Sequence, residues 1–150
     1  MRKETLQGFV HDEASAFFGG LAGNAGLFST ARDVARVYQM LLNGGEIDGQ
    51  RYLSKETCQL FTTETSKISR RGLGFDKPDA DDPKKGNCAP AAPAEVYGHT
   101  GTCAWVDPVN ELVYVFLSNR IYPDVTNRKL NQLHIRERIQ GAIYDAMKKK

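Results

Sequence analysis

Residues 96–117 constrain this chain more than any other stretch. Two apolar runs, Cys103-Ala104-Trp105-Val106 and Leu112 to Leu117, flank the polar turn Asp107-Pro108-Val109-Asn110-Glu111. Short runs rich in β-branched and aromatic residues, split by turn formers, predict neighbouring antiparallel strands. Val96-Tyr97 supplies a third, so a meander is expected over about 95–118. Downstream, Leu130, Leu133, Ile139, Ala142, Ile143, Ala146 and Met147 recur at helical spacing, with Arg136, Glu137, Arg138 and Gln140 off that stripe. This predicts a C-terminal helix over about 129–148 packed on the sheet. An antiparallel sheet flanked by helices is an α+β architecture.

Upstream the pattern is helical over about 29–62. Ser29-Thr30 caps a run in which Asp33 sits in the first turn and Val34, Val37, Tyr38, Leu41 and Leu42 follow at three- and four-residue steps. Asn43-Gly44-Gly45 stops it, giving a helix near 31–43 whose apolar stripe should face a core. Asp48-Gly49 is a turn signal, and Ser54 caps a second helix near 55–62 carrying Thr57, Leu60 and Phe61. Thr5 to Val10 reads as a short strand or an extended lead-in to the polar His11-Asp12-Glu13. Residues 76–93 hold four aspartates, three lysines and four prolines without apolar rhythm, so a long, exposed and mobile loop is expected there.

Length bounds the rest. At 150 residues the chain suits one domain, and 20 Lys+Arg against 18 Asp+Glu argue against a strongly basic nucleic-acid binder. No apolar run approaches a membrane span, and Met1-Arg2-Lys3-Glu4 leads into no signal-peptide core. Cys58, Cys88 and Cys103 are too few for a disulfide scaffold.

Candidate chemistry is sparse. Gly20-x-x-Gly23-x-x-Gly26 lacks both the Gly-Lys-Ser/Thr ending of a phosphate loop and the G-x-G-x-x-G spacing of a dinucleotide fold, so the glycine-rich segment reads as a packed loop. His11, Asp12, Glu13, Cys88, His99, Cys103 and His134 show no metal-ligand spacing, and no cofactor is expected. His134 reads as a surface or helix-face histidine, Lys148-Lys149-Lys150 as a solvated tail.

The sharpest local signal is Gly98-His99-Thr100-Gly101, at the end of an expected strand and followed by Thr102 and another strand. His99-Thr100-Gly101 resembles the H-T-G form of the K-T-G triad of serine β-lactamases and penicillin-binding proteins, above all their class C and D-alanyl-D-alanine carboxypeptidase-like branch. The likeness continues in order through Val10-His11-Asp12-Glu13, Ala22 to Asp33, Gln39 to Gly45 and Trp105-Val106-Asp107-Pro108. It is similar to the C-terminal half of such proteins, including modules fused behind glycoside hydrolases. Asn24 stands where relatives often have histidine.

That resemblance implies acyl transfer by a serine in S-x-x-K, assisted by a lysine and the tyrosine of Y-x-N, with backbone N–H groups holding the oxyanion. It implies that His99, Thr100 and Gly101 face the substrate and that the Thr102 N–H is an oxyanion donor. Neither S-x-x-K nor Y-x-N occurs here. Ser15, Ser29, Ser54, Ser66, Ser69 and Ser118 are followed three places on by Phe, Arg, Thr, Ser, Gly and Ile, and no tyrosine is followed two places on by Asn. Only Thr102-Cys103-Ala104 separate the triad from Trp105, fewer residues than in relatives. The expectation is therefore the C-terminal portion of a serine acyl-transfer hydrolase of the bacterial envelope or periplasm, inactive alone. Its partners would be the N-terminal part of the parent domain and a β-lactam or cell-wall-peptide-like substrate, with self-association through exposed apolar surface. The alternative is a non-catalytic module on the same scaffold that binds peptide or glycan.

Overall fold

A computed structural model of the chain describes residues 6–63, 66–79, 88–99, 102–120 and 122–148, with His99 described by its backbone. Two compact units divide between Thr30 and Ala31.

In the first unit the polar corner at Asp12 starts a one-and-a-half-turn helix, α1 (Glu13–Phe17). The Asp12 carboxylate accepts the Ser15 N–H at 2.8 Å, satisfying one of the free donors at the helix start. Asn24 Nδ2 donates to the same carboxylate oxygen at 3.2 Å, and Ser15 Oγ donates to Asn24 Oδ1 at 3.2 Å. These hydrogen bonds, led by that from the Ser15 N–H, hold the Asp12 carboxyl below its ordinary range. A tight turn pairs Ala22 with Ala25. Gly26, at φ +118°, packs against the Gly20 carbonyl so closely that a Cβ would collide with it. Glycines and apolar side chains, among them Phe9, Leu21 and Phe28, line a groove of about 480 Å³. Leu21, Leu27 and Phe28 are nonetheless exposed, so the apolar side chains of this segment are not packed as the loop reading expects.

The second unit opens with α2 (Ala31–Leu42), ended as expected by Asn43-Gly44-Gly45. Its stripe is half-buried, with no residue fully buried and Val37 exposed. Asp48 and Gly49, both at positive φ, close the hairpin of β1 (Glu46–Ile47) and β2 (Gln50–Arg51), the backbone that a two-residue Asp-Gly turn supplies. Ser54 Oγ accepts the Thr57 N–H to cap α3 (Lys55–Thr63). The face of α3 that is buried carries Cys58 and Thr62; Leu60 and Phe61 are largely exposed.

The meander forms as the pattern predicts, with β3 (Tyr97–His99), β4 (Cys103–Asp107) and β5 (Leu112–Phe116) in the order β3-β4-β5 and antiparallel throughout. Every residue of β4 is buried. On one face Cys103, Trp105 and Tyr114 join Val96 and Cys88 in the core. On the other, α2 lies against β4 and β5, and Tyr38, Phe75 and Tyr97 stack edge to face in series. The fold is α+β.

Two expectations need correction. The C-terminal helix is broken into α4 (Lys129–Gln132) and α5 (Ile135–Met147), with His134 in the left-handed region at φ 48° between them. His134 therefore sits at a helix junction and not on a helix face, but its side chain is exposed, in line with the surface reading. The buried stripe of α5 is Arg136, Gln140 and Tyr144, the positions read as off-stripe or unassigned, whereas Leu133 is 53% exposed. Each of the three side chains makes a hydrogen bond, although Arg136 Nε is buried without a partner among the described residues. Arg136 Nη1 donates to Asn131 Oδ1, Gln140 Oε1 accepts the Ala89 N–H at 2.8 Å, and Tyr144 donates to Asp107 Oδ2 at 2.7 Å. The expected exposed loop at 76–93 also has a buried frame: Asp76, Lys77, Cys88 and Ala89 lie in the interior. Residues 80–87 of that loop fall outside the described residues.

Candidate active site

The end of β3 is held on both sides. On its inner side Gly98 is opposite Trp105 and His99 opposite Ala104. On its outer side the Asp76 N–H donates to the Gly98 carbonyl at 2.7 Å, and the Gly98 N–H donates back to the Asp76 carbonyl at 2.9 Å. A Cβ at position 98 would strike the Ala104 carbonyl and come within 2.7 Å of the Trp105 ring. Glycine is thus required here by close approach and not by a positive φ.

The Asp76 carboxyl group lies in the interior, 1% exposed. Arg70 answers it, with Nε 2.7 Å from Oδ1 and Nη2 donating to Oδ2 at 2.9 Å, and the Lys77 N–H donates to Oδ1 at 3.1 Å. The hydrogen bond to Asp76 raises the Arg70 pKa, so the guanidinium stays charged. Lys77 Nζ donates to the Thr62 and Glu95 carbonyls, and burial lowers its pKa. Two basic residues and one carboxylate therefore brace the segment that borders β3. Sequence reading missed this brace. The only trace of it was Leu73-Gly74-Phe75 inside a polar stretch, with Gly74 at φ +90°.

Of the four residues singled out from sequence, His99 closes β3 and Thr102 is exposed at the turn into β4. Thr100 and Gly101 lie outside the described residues, so the geometry bears on the strand that delivers them. Cys103, immediately after the turn, is buried, and desolvation pushes its thiol up to about 11; Cys88 is pushed up to about 12 by the same cause. Such thiols are neutral and unreactive at physiological pH. Ser15 is wholly buried, which removes it as an accessible nucleophile in this unit. Among the described residues no three His, Cys, Asp or Glu side chains converge as a metal site would need. No helix among them is long and apolar enough to cross a membrane.

A glycine-clamped strand that runs up to His99 and is paired with a buried tryptophan strand, within a helix-flanked antiparallel sheet, defines the class. Residues 3–137 match the Beta-lactamase family model, and the chain belongs to that family. It is 36% identical over 135 residues to a protein of Escherichia coli K12 named "Putative D-alanyl-D-alanine carboxypeptidase", and equally so to proteins of the same name from Salmonella agona and Escherichia coli O157:H7. In each case 87% of this chain aligns with 31% of the relative, so the chain spans about a third of the length of these curated relatives.

Proposed function

We propose that this chain supplies the H-T-G wall of a serine acyl-transfer site whose nucleophile belongs to other sequence. The observation that carries the reading is the clamp on Gly98, which holds the strand on both edges one residue before His99. Such preorganisation suits a strand that must meet a substrate in fixed register. The absence of S-x-x-K and Y-x-N from the chain supports the second half of the reading, as does the one-third coverage of its relatives. In this account Thr100 offers its hydroxyl to an anionic group of the substrate, His99 lies beside it, and Gly101 lets the strand approach the ligand. The Thr102 N–H is one oxyanion donor, paired with the N–H of the absent serine. The substrate is a peptide of the cell-wall type or a β-lactam, and the setting is the cell envelope.

The apolar side chains exposed around α1, Phe17, Phe18, Leu21, Leu27 and Phe28, support a partner surface covered by the rest of the domain. Without that cover the same surface drives self-association. A chimera tests the proposal: this chain replaces the matching third of the Escherichia coli relative, and labelling by a fluorescent penicillin is measured. The expected result is a labelled chimera whose labelling falls at least tenfold in Thr100→Val, with the isolated chain unlabelled. Equal labelling of the Thr100→Val chimera would remove the triad from the site.

A further inference from the structure

We infer that the outer face of α5 pairs with the same face of a second copy of this chain, forming an antiparallel two-helix seam. α5 is docked with its sides reversed from those of an ordinary surface helix. Its buried side is polar, and hydrogen bonds from Arg136, Gln140 and Tyr144 to Asn131, Ala89 and Asp107 fix its rotation about its own axis. The Arg136 carbonyl adds a further tie, accepting the Tyr114 hydroxyl at 3.2 Å. The apolar stripe is thereby turned outward, with Ile139, Ala142 and Ala146 exposed and Ile135 half-buried.

Those four residues are spaced by four, three and four positions, the alternation of a coiled-coil seam. In heptad terms Ile139 and Ala146 take a positions, and Ile135 and Ala142 take d positions. In an antiparallel pair each a residue layers against a d residue of the other helix. The register that sets Ile139 against Ala142 of the second copy also sets Ile135 against Ala146, so every layer joins one large side chain to one small one. A two-fold rotation leaves this pairing unchanged, which is the isologous contact that a homodimer requires.

The second observation is charge. Arg138 and Asp145 are both exposed, take g positions on one flank of the stripe, and have no ion-pair partner among the described residues. About 10.5 Å of helix axis separates them, which keeps them from pairing with each other. The same antiparallel register brings Arg138 of each copy against Asp145 of the other, so two ion pairs close that flank. A parallel pair would set Arg138 against Ile143 instead, and flanking charges of this kind select the orientation. An unrelated protein would need the complementary pattern in its own sequence, whereas a second copy already carries it. The seam is small: α5 has 13 residues. A helix of that length is about 20 Å long, and the contact falls at the low end of interface sizes, so a dissociation constant of about 10–500 μM is expected. None of the seam residues belongs to the H-T-G triad or to the apolar surface around α1, so this inference and the proposed function fail independently.

The test is sedimentation equilibrium of the full chain over a range of about 10 μM to 1 mM, wide enough to bracket that constant, with amide NMR at both ends of the range. A monomer–dimer equilibrium is expected, with concentration-dependent shifts on residues 135–146. Arg138→Asp should weaken dimerisation about fivefold or more, because two attractions become two repulsions. The double variant Arg138→Asp/Asp145→Arg should restore the affinity to within about twofold, since it re-forms both pairs with the charges exchanged. Both positions are exposed, and the amide spectrum of each variant at low concentration checks that its fold is intact. A chain that stays monomeric throughout would overturn the inference. So would association that Arg138→Asp leaves unchanged, which would belong to the surface around α1, or a weakening that the double variant does not reverse.

Discussion

A methyl group at position 98 has no room, because the Ala104 carbonyl and the Trp105 ring occupy the space it would take. Gly98→Ala should therefore cost about 1–3 kcal/mol, the usual penalty of overpacking, read as a lower urea midpoint. Gly23→Ala meets nothing within 4 Å and has no positive φ, so it should leave the midpoint nearly unchanged. Equal effects of the two would show that the clamp on β3 is slack. The buried thiols give a second residue-scale prediction. Burial lifts Cys88 to about 12 and Cys103 to about 11 from an ordinary 9.0, so the folded state prefers the protonated thiols. Their contribution is complete below pH 9, where the unfolded thiols are also protonated, and is lost as pH rises from 9 through 11 and 12. Tyr97, Tyr114 and Tyr144 are shifted upward by burial and add to this alkaline loss, while Lys77, shifted downward, opposes it. Urea midpoints should fall from pH 8.5 to 10.5, and less steeply in a Cys88→Ala/Cys103→Ala variant; a rise over that range would contradict the burial of these groups.

The elements differ in how plainly the sequence announces them. The three strands and their order follow from short-range patterning, because Cys103 to Asp107 and Leu112 to Phe116 pair across a turn that the sequence itself contains. The packing of α5 does not. Periodicity locates apolar residues, but this helix docks through Arg136, Gln140 and Tyr144, whose partners Asn131, Ala89 and Asp107 are chosen by tertiary structure. Asp76 shows the same effect: it reads as part of a charged loop, yet it completes the outer edge of β3 from 22 positions upstream. The H-T-G tripeptide is legible in sequence, and the brace beside β3 is not, since the Arg70–Asp76 pair gains its meaning only once the Asp76 backbone is seen to bond Gly98. One prediction belongs to this scale. Tyr144 bonds a buried Asp107 that also ties down the Val109 and Asn110 N–H groups of the β4–β5 turn. Tyr144→Phe should destabilise the chain by about 1.5–3 kcal/mol, as for other hydrogen bonds to a charged group. A loss below about 0.5 kcal/mol in urea unfolding would mean that the helix is not anchored through this bond.

At the scale of the molecule, the family and the fold are one finding and the activity is another. The chain carries the His-Thr-Gly tripeptide directly after Gly98, but acyl transfer needs an attacking oxygen with a base beside it. Ser15 is buried, and none of the six serines has a lysine three places on. The central claim is that the attacking serine lies outside this chain. Intact-mass spectrometry of the isolated chain after incubation with excess benzylpenicillin tests it most directly. The account predicts an unchanged mass; a stoichiometric penicilloyl adduct mapped to one of these six serines would contradict it.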